Sequence, residues 1–172
     1  MPESTSEFER GPDQSRFVSI CIATCSRPQG LANLLGAFET LEIPAGVAFQ
    51  VVVVDNDPAG SAKAVCDEVV ERHGYPLRYL VEKRRGIPFA RNAALGVALS
   101  DSDFIAFIDD DEVPESDWLS ELLRVQDYYR AGVVTGPCLP QYTEPPPNWI
   151  VEGGFHERPR HPTGTLRHVA FT

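Results

Sequence analysis

Three consecutive aspartates and a glutamate, Asp109 to Glu112, close the apolar run "DFIAFI" and lead into "VPESDWL". Two carboxylates about 5 Å apart repel by about 3 kcal/mol at an effective dielectric near 20. Open solvent, raised pKa values, a helix N-terminus or a bound cation can offset that repulsion. A second acidic group, Asp55 to Asp57, ends "FQVVVVDN", and a basic cluster, "EKRRG", ends "LRYLVEK". Acids at two places and bases at a third suit a ligand that carries both hydroxyls and phosphates, with a divalent metal between phosphate and carboxylate.

These groups depend on the elements that carry them. "FVSICIAT" (17–24) is a β-rich apolar run, followed by a segment with Leu31, Leu34, Leu35 and Phe38 at helical spacing and Pro28 in the first turn. "FQVVVVDN" (49–56) is a nearly continuous valine run, as expected for a strand covered on both faces of a parallel sheet. "SAKAVCDEVVERHG" is a helix with Gly74 as its stop, and "LRYLVEK" (77–83) a third strand. "IPFARNAALGVALS" is a third helix, "DFIAFI" a fourth strand, "PESDWLSELLRVQDYYR" a fourth helix and "AGVVTGPC" a fifth strand. Such alternation predicts βαβ units, a parallel sheet and right-handed crossovers. Ligands of open parallel sheets bind beyond the carboxyl ends of the strands. The residues to read are therefore Thr24 to Arg27, Asp55 to Asp57, Lys83 to Gly86 and Asp109 to Glu112.

The chain has 172 residues, 42% of them hydrophobic, enough for one domain with a substantial core. Its net charge of −10 argues against nucleic acid and against an anionic membrane patch, since both want clustered Lys and Arg. Cys21, Cys25, Cys66 and Cys138 lack C-x-x-C pairing and read as reduced, mostly structural thiols. No apolar stretch reaches the roughly 18 residues of a membrane span, and the polar start lacks the apolar core of a signal peptide. The expected organisation is a cytosolic chain with a disordered leader over 1–16, an α/β domain over 17–138 and an irregular tail over 139–172, rich in Pro, Gly and His.

Plainer readings stand beside the functional ones. Asp55, Asn56 and Asp57 precede Pro58 and Gly60, so a turn explains them as well as a ligand does. Glu115 and Asp117 are accounted for by the macrodipole of a helix starting near Pro114 or Ser116. That account does not extend to Asp109 and Asp111 at the strand end, where a ligand or metal is the better reading. Arg84, Arg85 and Arg91 in isolation are solvated or paired with neighbouring acids. A nicotinamide-type Rossmann turn requires G-x-G-x-x-G, whereas "ATCSRPQG" has one glycine, too late. A response-regulator receiver would explain acids at two strand ends, but it needs a later lysine, and none follows Lys83.

Taken together, "VSICIATCSRPQGLANLL", "VVVVDND", "RRGIPFARNAAL" and "FIDDDEVPESDWLSELL" resemble, in order and spacing, the nucleotide-sugar half of the family 2 glycosyltransferases, in particular bacterial enzymes that build exopolysaccharide or surface polysaccharide. The resemblance implies a Rossmann-like GT-A fold, with a mainly parallel sheet and helices on both faces. It further implies inverting transfer of a sugar from a nucleotide-diphosphate donor, UDP-linked by preference, to a saccharide or lipid-linked acceptor. By the same likeness Thr24 lies against the nucleotide, Asp55 bonds the base, and Arg85 or Arg91 with Asn92 closes over the donor. Asp109 faces ribose and metal and Asp111 binds Mg2+ or Mn2+, while Asp110 has no assigned role. On this reading the metal that arrives with the donor's phosphates stabilises the crowded aspartates.

Ala23 stands where the family has a proline, which costs the turn a fixed φ. The catalytic base is expected downstream of residue 172, since Glu144, Glu152 and Glu157 sit in no recognisable base motif. The expected location is cytoplasmic, including the inner face of the membrane by peripheral association. The competing expectation is a truncated, non-catalytic fragment that binds nucleotide sugar.

Overall fold

The structure is a computed structural model that describes residues 16–142 and 144–166. The chain forms two compact units, Met1–Leu119 and Ser120–Thr172. The expected leader lies outside the described residues up to residue 15, and Arg16 already opens the first strand.

In the first unit strands and helices alternate: β1 (Arg16–Thr24), α1 (Pro28–Ala37), β2 (Val47–Asp55), α2 (Lys63–His73), β3 (Leu77–Val81), α3 (Ile87–Ala98) and β4 (Phe104–Phe107). A short 3-10 turn, Phe38–Thr40, follows α1. All pairings are parallel, in the order β3-β2-β1-β4. The chain thus steps outward from β1 to β3 and returns to the far side of β1. Because the order reverses there, the crevice beyond the carboxyl ends of β1 and β4 is the topological switch point.

The valine run behaves as its composition demands. Val51 to Val54 are fully buried, and alternation sends them to opposite faces. Cys21, Val52 and Val54 meet Ala90, Ala94 and Ala98, a stripe of small residues that lets α3 lie close to β1 and β2. Ile20, Ile22, Val51 and Val53 bury the other face. Right-handed crossovers put α1 and α2 there, with Leu31, Leu34 and Leu35 buried along α1. Gly74 ends α2 in the left-handed conformation at φ 68°, as its position in the sequence predicts. No disulfide forms among the described residues, and burial pushes the Cys21 and Cys66 thiols up to about 12.

Two sequence expectations need correction. The helix after the aspartates, α4 (Trp118–Tyr129), starts later than Pro114 or Ser116. The Ser116 carbonyl accepts the Glu42 N–H at 2.7 Å, so that acceptor serves a neighbouring loop and not a helical turn. The fifth strand expected at "AGVVTGPC" is also absent among the described residues. That run carries Gly132, Gly136 and Pro137 and finds no ladder partner, and Val133 is exposed. The second unit holds most of α4 and a short helix, α5 (Asn148–Gly153), which Gly154 closes at φ 57°. Beside α5, Trp149 packs edge to face on Phe155 with ring centroids 5.7 Å apart. No described helix is long and apolar enough to cross a membrane.

Candidate active site at the switch point

β1, β2 and β3 end level with one another, Thr24 pairing with Asp55 and Asp55 with Val81. β4 stops earlier, with Phe107 opposite Cys21, so its acidic loop runs alongside the last residues of β1. The Ile108 N–H still reaches the Cys21 carbonyl at 3.3 Å, and beyond it the chain turns. Glu112 closes that turn: its N–H donates to the Asp109 carbonyl, and its Oε2 accepts the Asp109 N–H, both at 3.1 Å.

Asp110, the residue given no role by the sequence reading, is the buried member of the trio at 5% exposure. Thr24 Oγ1 donates to its Oδ2 at 2.7 Å, and Arg27 Nη1 donates to its Oδ1 at 3.1 Å. The same Nη1 reaches Asp111 Oδ2 at 2.9 Å, while Arg91 Nη2 donates to Asp109 Oδ1 at 2.7 Å. The crowded carboxylates are thus held by two arginines, where the sequence reading assigned that work to a metal. Attraction to Asp110, then hydrogen bonds to Asp110 and Asp111, raise the Arg27 pKa further above its usual value.

Two arginines do not balance four acids. Asp109 to Glu112 with Arg27 and Arg91 carry a formal excess of two negative charges, which one divalent cation would neutralise. The Asp109 and Asp111 side chains are 54% and 65% exposed, and each keeps one oxygen without a protein donor among the described residues. No group of three potential ligands stands ready for a metal among the described residues. Two exposed carboxylates fit Mg2+ or Mn2+, which take one or two protein carboxylates and complete their shell with phosphate and water.

Other expected site residues fall less simply. Asp55 is fully buried, and its carboxylate accepts the Asp57 N–H at 3.0 Å, the Ala62 N–H at 2.7 Å and the Tyr79 hydroxyl at 2.9 Å. Held by these three donors, it supports the crevice floor. Asp57 is partly exposed and accepts the Ala59 N–H at 2.9 Å and Ser26 Oγ at 2.9 Å, bonds that hold its carboxyl below the usual range. The turn explanation of this acidic group therefore holds for its geometry. Thr24 is buried and spent on Asp110. The Arg91 guanidinium lies 5.6 Å from the centre of the Phe107 ring. Asn92, one residue on in α3, is exposed, and its side chain makes no hydrogen bond among the described residues.

Arg84 grips Glu82 through two nitrogens at 3.1 and 2.8 Å and covers Phe89, while Arg85 is exposed without an ion pair among the described residues. Hydrogen bonds from the Arg84 side chain and N–H hold the Glu82 carboxyl down at about 2.

Three residues carry roles that the sequence alone does not assign to them. Arg27 stands at the end of the first strand's turn, and only the packing of that turn against the β4 loop reveals its partners. Asn56 donates through Nδ2 to the Glu82 and Arg84 carbonyls at 2.7 and 2.8 Å and accepts the Gly86 N–H at 2.7 Å, fixing the β3–α3 loop to the end of β2. Gly30 in α1 passes so close to the acidic loop that a Cβ there would stand 2.7 Å from the Asp110 carbonyl oxygen. The glycine that comes too late for a nucleotide fingerprint thus serves the aspartates.

The family model for glycosyl transferase family 2 matches residues 19–170. The succinoglycan biosynthesis protein ExoM of Rhizobium meliloti (strain 1021) is 32% identical over 145 residues, which cover 84% of this chain and 46% of that protein. The chain therefore spans about half the length of this relative. Among solved structures, Staphylococcus aureus TarS 1-349 in complex with UDP-GlcNAc superposes with a TM-score of 0.56 at 23% identity over 72% of this chain and 37% of its own. The mannosyltransferase PcManGT from Pyrobaculum calidifontis, in complex with GDP-Man and Mn2+, gives a TM-score of 0.55 at 23% identity, over 62% and 31%. These likenesses establish the GT-A fold.

Proposed function

The chain belongs to glycosyl transferase family 2, and from that premise we propose that it is the donor-binding half of a glycosyltransferase of bacterial polysaccharide synthesis, using a divalent metal and a nucleotide-diphosphate sugar. The observation that carries this reading is the juxtaposition of Asp109, Asp110 and Asp111 with Arg27 and Arg91 at the switch point. A UDP-linked donor is favoured by the UDP-GlcNAc bound in TarS, and a polysaccharide product by the relative named for succinoglycan biosynthesis. Saccharide or lipid-linked acceptors and a cytoplasmic site, including the inner membrane face, belong to the same proposal. The receiver-like alternative is set aside by the family match.

Each residue's task follows from its position. Thr24 and Gly30 let the acidic loop sit against β1, and Asp110 anchors it there. Asp109 and Asp111, with their unshared oxygens outward, are assigned as the residues that hold Mg2+ or Mn2+. When bound, such a cation supplies Lewis-acid stabilisation of the charge that develops on the departing diphosphate. Arg91, Arg85 and Asn92, on and before α3, are assigned to the donor side, and Asn56 holds the loop that carries them. In inverting transfer the acceptor oxygen forms its bond to the anomeric carbon as the bond to the diphosphate breaks, and a base takes the acceptor's proton. No carboxylate of the crevice is assigned as that base: Asp109 and Asp111 are assigned to the metal, and Asp55, Asp57, Asp110 and Glu112 hold the loops together.

Calorimetric titration with UDP, with and without Mn2+, tests the reading. Binding that requires Mn2+ and is lost in Asp111→Ala, with the variant still folded, is the expected result. An Asp111→Ala variant that binds UDP normally, or a wild-type chain that binds under neither condition, would remove the assignment.

A further inference from the structure

Arg27 reaches Asp110 and Asp111 through one nitrogen, Nη1, and its Nε and Nη2 make no bond among the described residues. Its side chain is 58% exposed. The two carboxylates it bridges differ sharply. Asp110 is nearly buried and keeps Thr24 as a partner whether or not Arg27 is present. Asp111 is 65% exposed and has Arg27 as its hydrogen-bond partner among the described residues. An exposed pair of this kind adds little stability, so exchanging it costs little.

Arg27 also sits within reach of a ligand at the switch point. It precedes Pro28 in the turn from β1 to α1, and open α/β sheets bind their ligands in the crevice beyond the carboxyl ends of the strands there. The preceding Ser26 holds φ at 55°, a conformation uncommon outside glycine, asparagine and aspartate. A planar guanidinium with N–H groups to spare matches phosphate oxygens in shape and charge. Arg91 differs, since its guanidinium is also seated against Phe107.

Building on the donor-site reading above, we propose that Arg27 is a displaceable counter-ion: it neutralises Asp110 and Asp111, yields Asp111 to a divalent cation, and turns its freed guanidinium to the donor's diphosphate. Arg27 and the cation then compete for one carboxylate, while Arg27 and the diphosphate attract. Removing the side chain should therefore shift the two affinities in opposite directions.

The test is Arg27→Ala and Arg27→Lys beside the wild type, with Mn2+ affinity followed by electron paramagnetic resonance and UDP affinity at saturating Mn2+ by calorimetry. Circular dichroism checks that each variant is folded. Arg27→Ala should bind Mn2+ alone about two- to fivefold more tightly, the worth of an exposed pair. The same variant should bind UDP with Mn2+ about tenfold or more weakly, the worth of a charge-assisted hydrogen bond, and Arg27→Lys should fall between. Both affinities falling together would make Arg27 structural, and neither moving would make it a bystander; either result overturns the proposal while the donor site stands. A wild-type chain that binds neither Mn2+ nor UDP removes the donor site itself, and this proposal with it.

Discussion

Thr24 at the end of β1 donates its hydroxyl to Asp110, 86 residues later in the chain, at 2.7 Å and away from solvent. This bond ties the end of β1 to the acidic loop after β4, at the switch point, where Asp110 is the aspartate that faces inward. Replacing Thr24 by valine keeps the shape and deletes the donor. The expected loss is about 1–3 kcal/mol, the cost of leaving a buried acceptor short of a partner. Urea denaturation of Thr24→Val beside Thr24→Ser checks it, since serine keeps the hydroxyl. Equal stability of wild type and valine variant would mean that Asp110 finds another partner.

Gly30→Ala should reverse the usual helical preference. In an open helix alanine gains about 1 kcal/mol over glycine. Here the added Cβ would stand 2.7 Å from the Asp110 carbonyl, closer than real Cβ contacts come, and backbone has to move. We expect a lower melting temperature and weaker Mn2+ binding, measured by calorimetry. A more stable variant with unchanged Mn2+ affinity would show that the acidic loop yields freely.

Asn56→Ala removes two donors and one acceptor that fix the β3–α3 loop. At about 1 kcal/mol for each hydrogen bond, the expected loss is about 2–3 kcal/mol. Hydrogen exchange gives the local readout, because the Gly86 N–H loses its acceptor and should exchange much faster. Protection of that amide at the wild-type level would contradict the assignment.

The Glu82 to Arg84 pairing predicts a pH dependence. The Glu82 carboxyl is depressed to about 2 from an ordinary value of 4.5, chiefly by the Arg84 side chain and then by its backbone N–H. A depressed acid contributes stability that is complete above its unfolded-state value and lost as pH falls through the folded one. The melting-temperature gap between wild type and Glu82→Gln should be present at pH 7 and close between about pH 4.5 and 2. A gap that stays constant to pH 2 would assign the effect to shape and not to charge.

The residues that carry the fold were legible because the signals are local. The valine run, the helical leucines of α1 and Gly74 each declare an element through periodicity or a backbone preference that needs no distant partner. "AGVVTGPC" failed for the complementary reason, since a strand is made by its neighbour and composition cannot supply one. The late start of α4 failed likewise, because the acceptor a helix would use was taken by Glu42, 74 residues earlier.

By itself the sequence determined that acids and bases gather at the carboxyl ends of parallel strands, because alternation of β and α segments dictates where those ends lie. Only the tertiary structure decided what each charge does. Strand order put the β4 loop beside Thr24 and Arg27, and so buried Asp110 while leaving Asp109 and Asp111 outside. It also closed Asp55 beneath Tyr79 and Ala62. Burial and pairing depend on register between segments more than 80 residues apart, and a carboxylate's role follows from how many donors surround it.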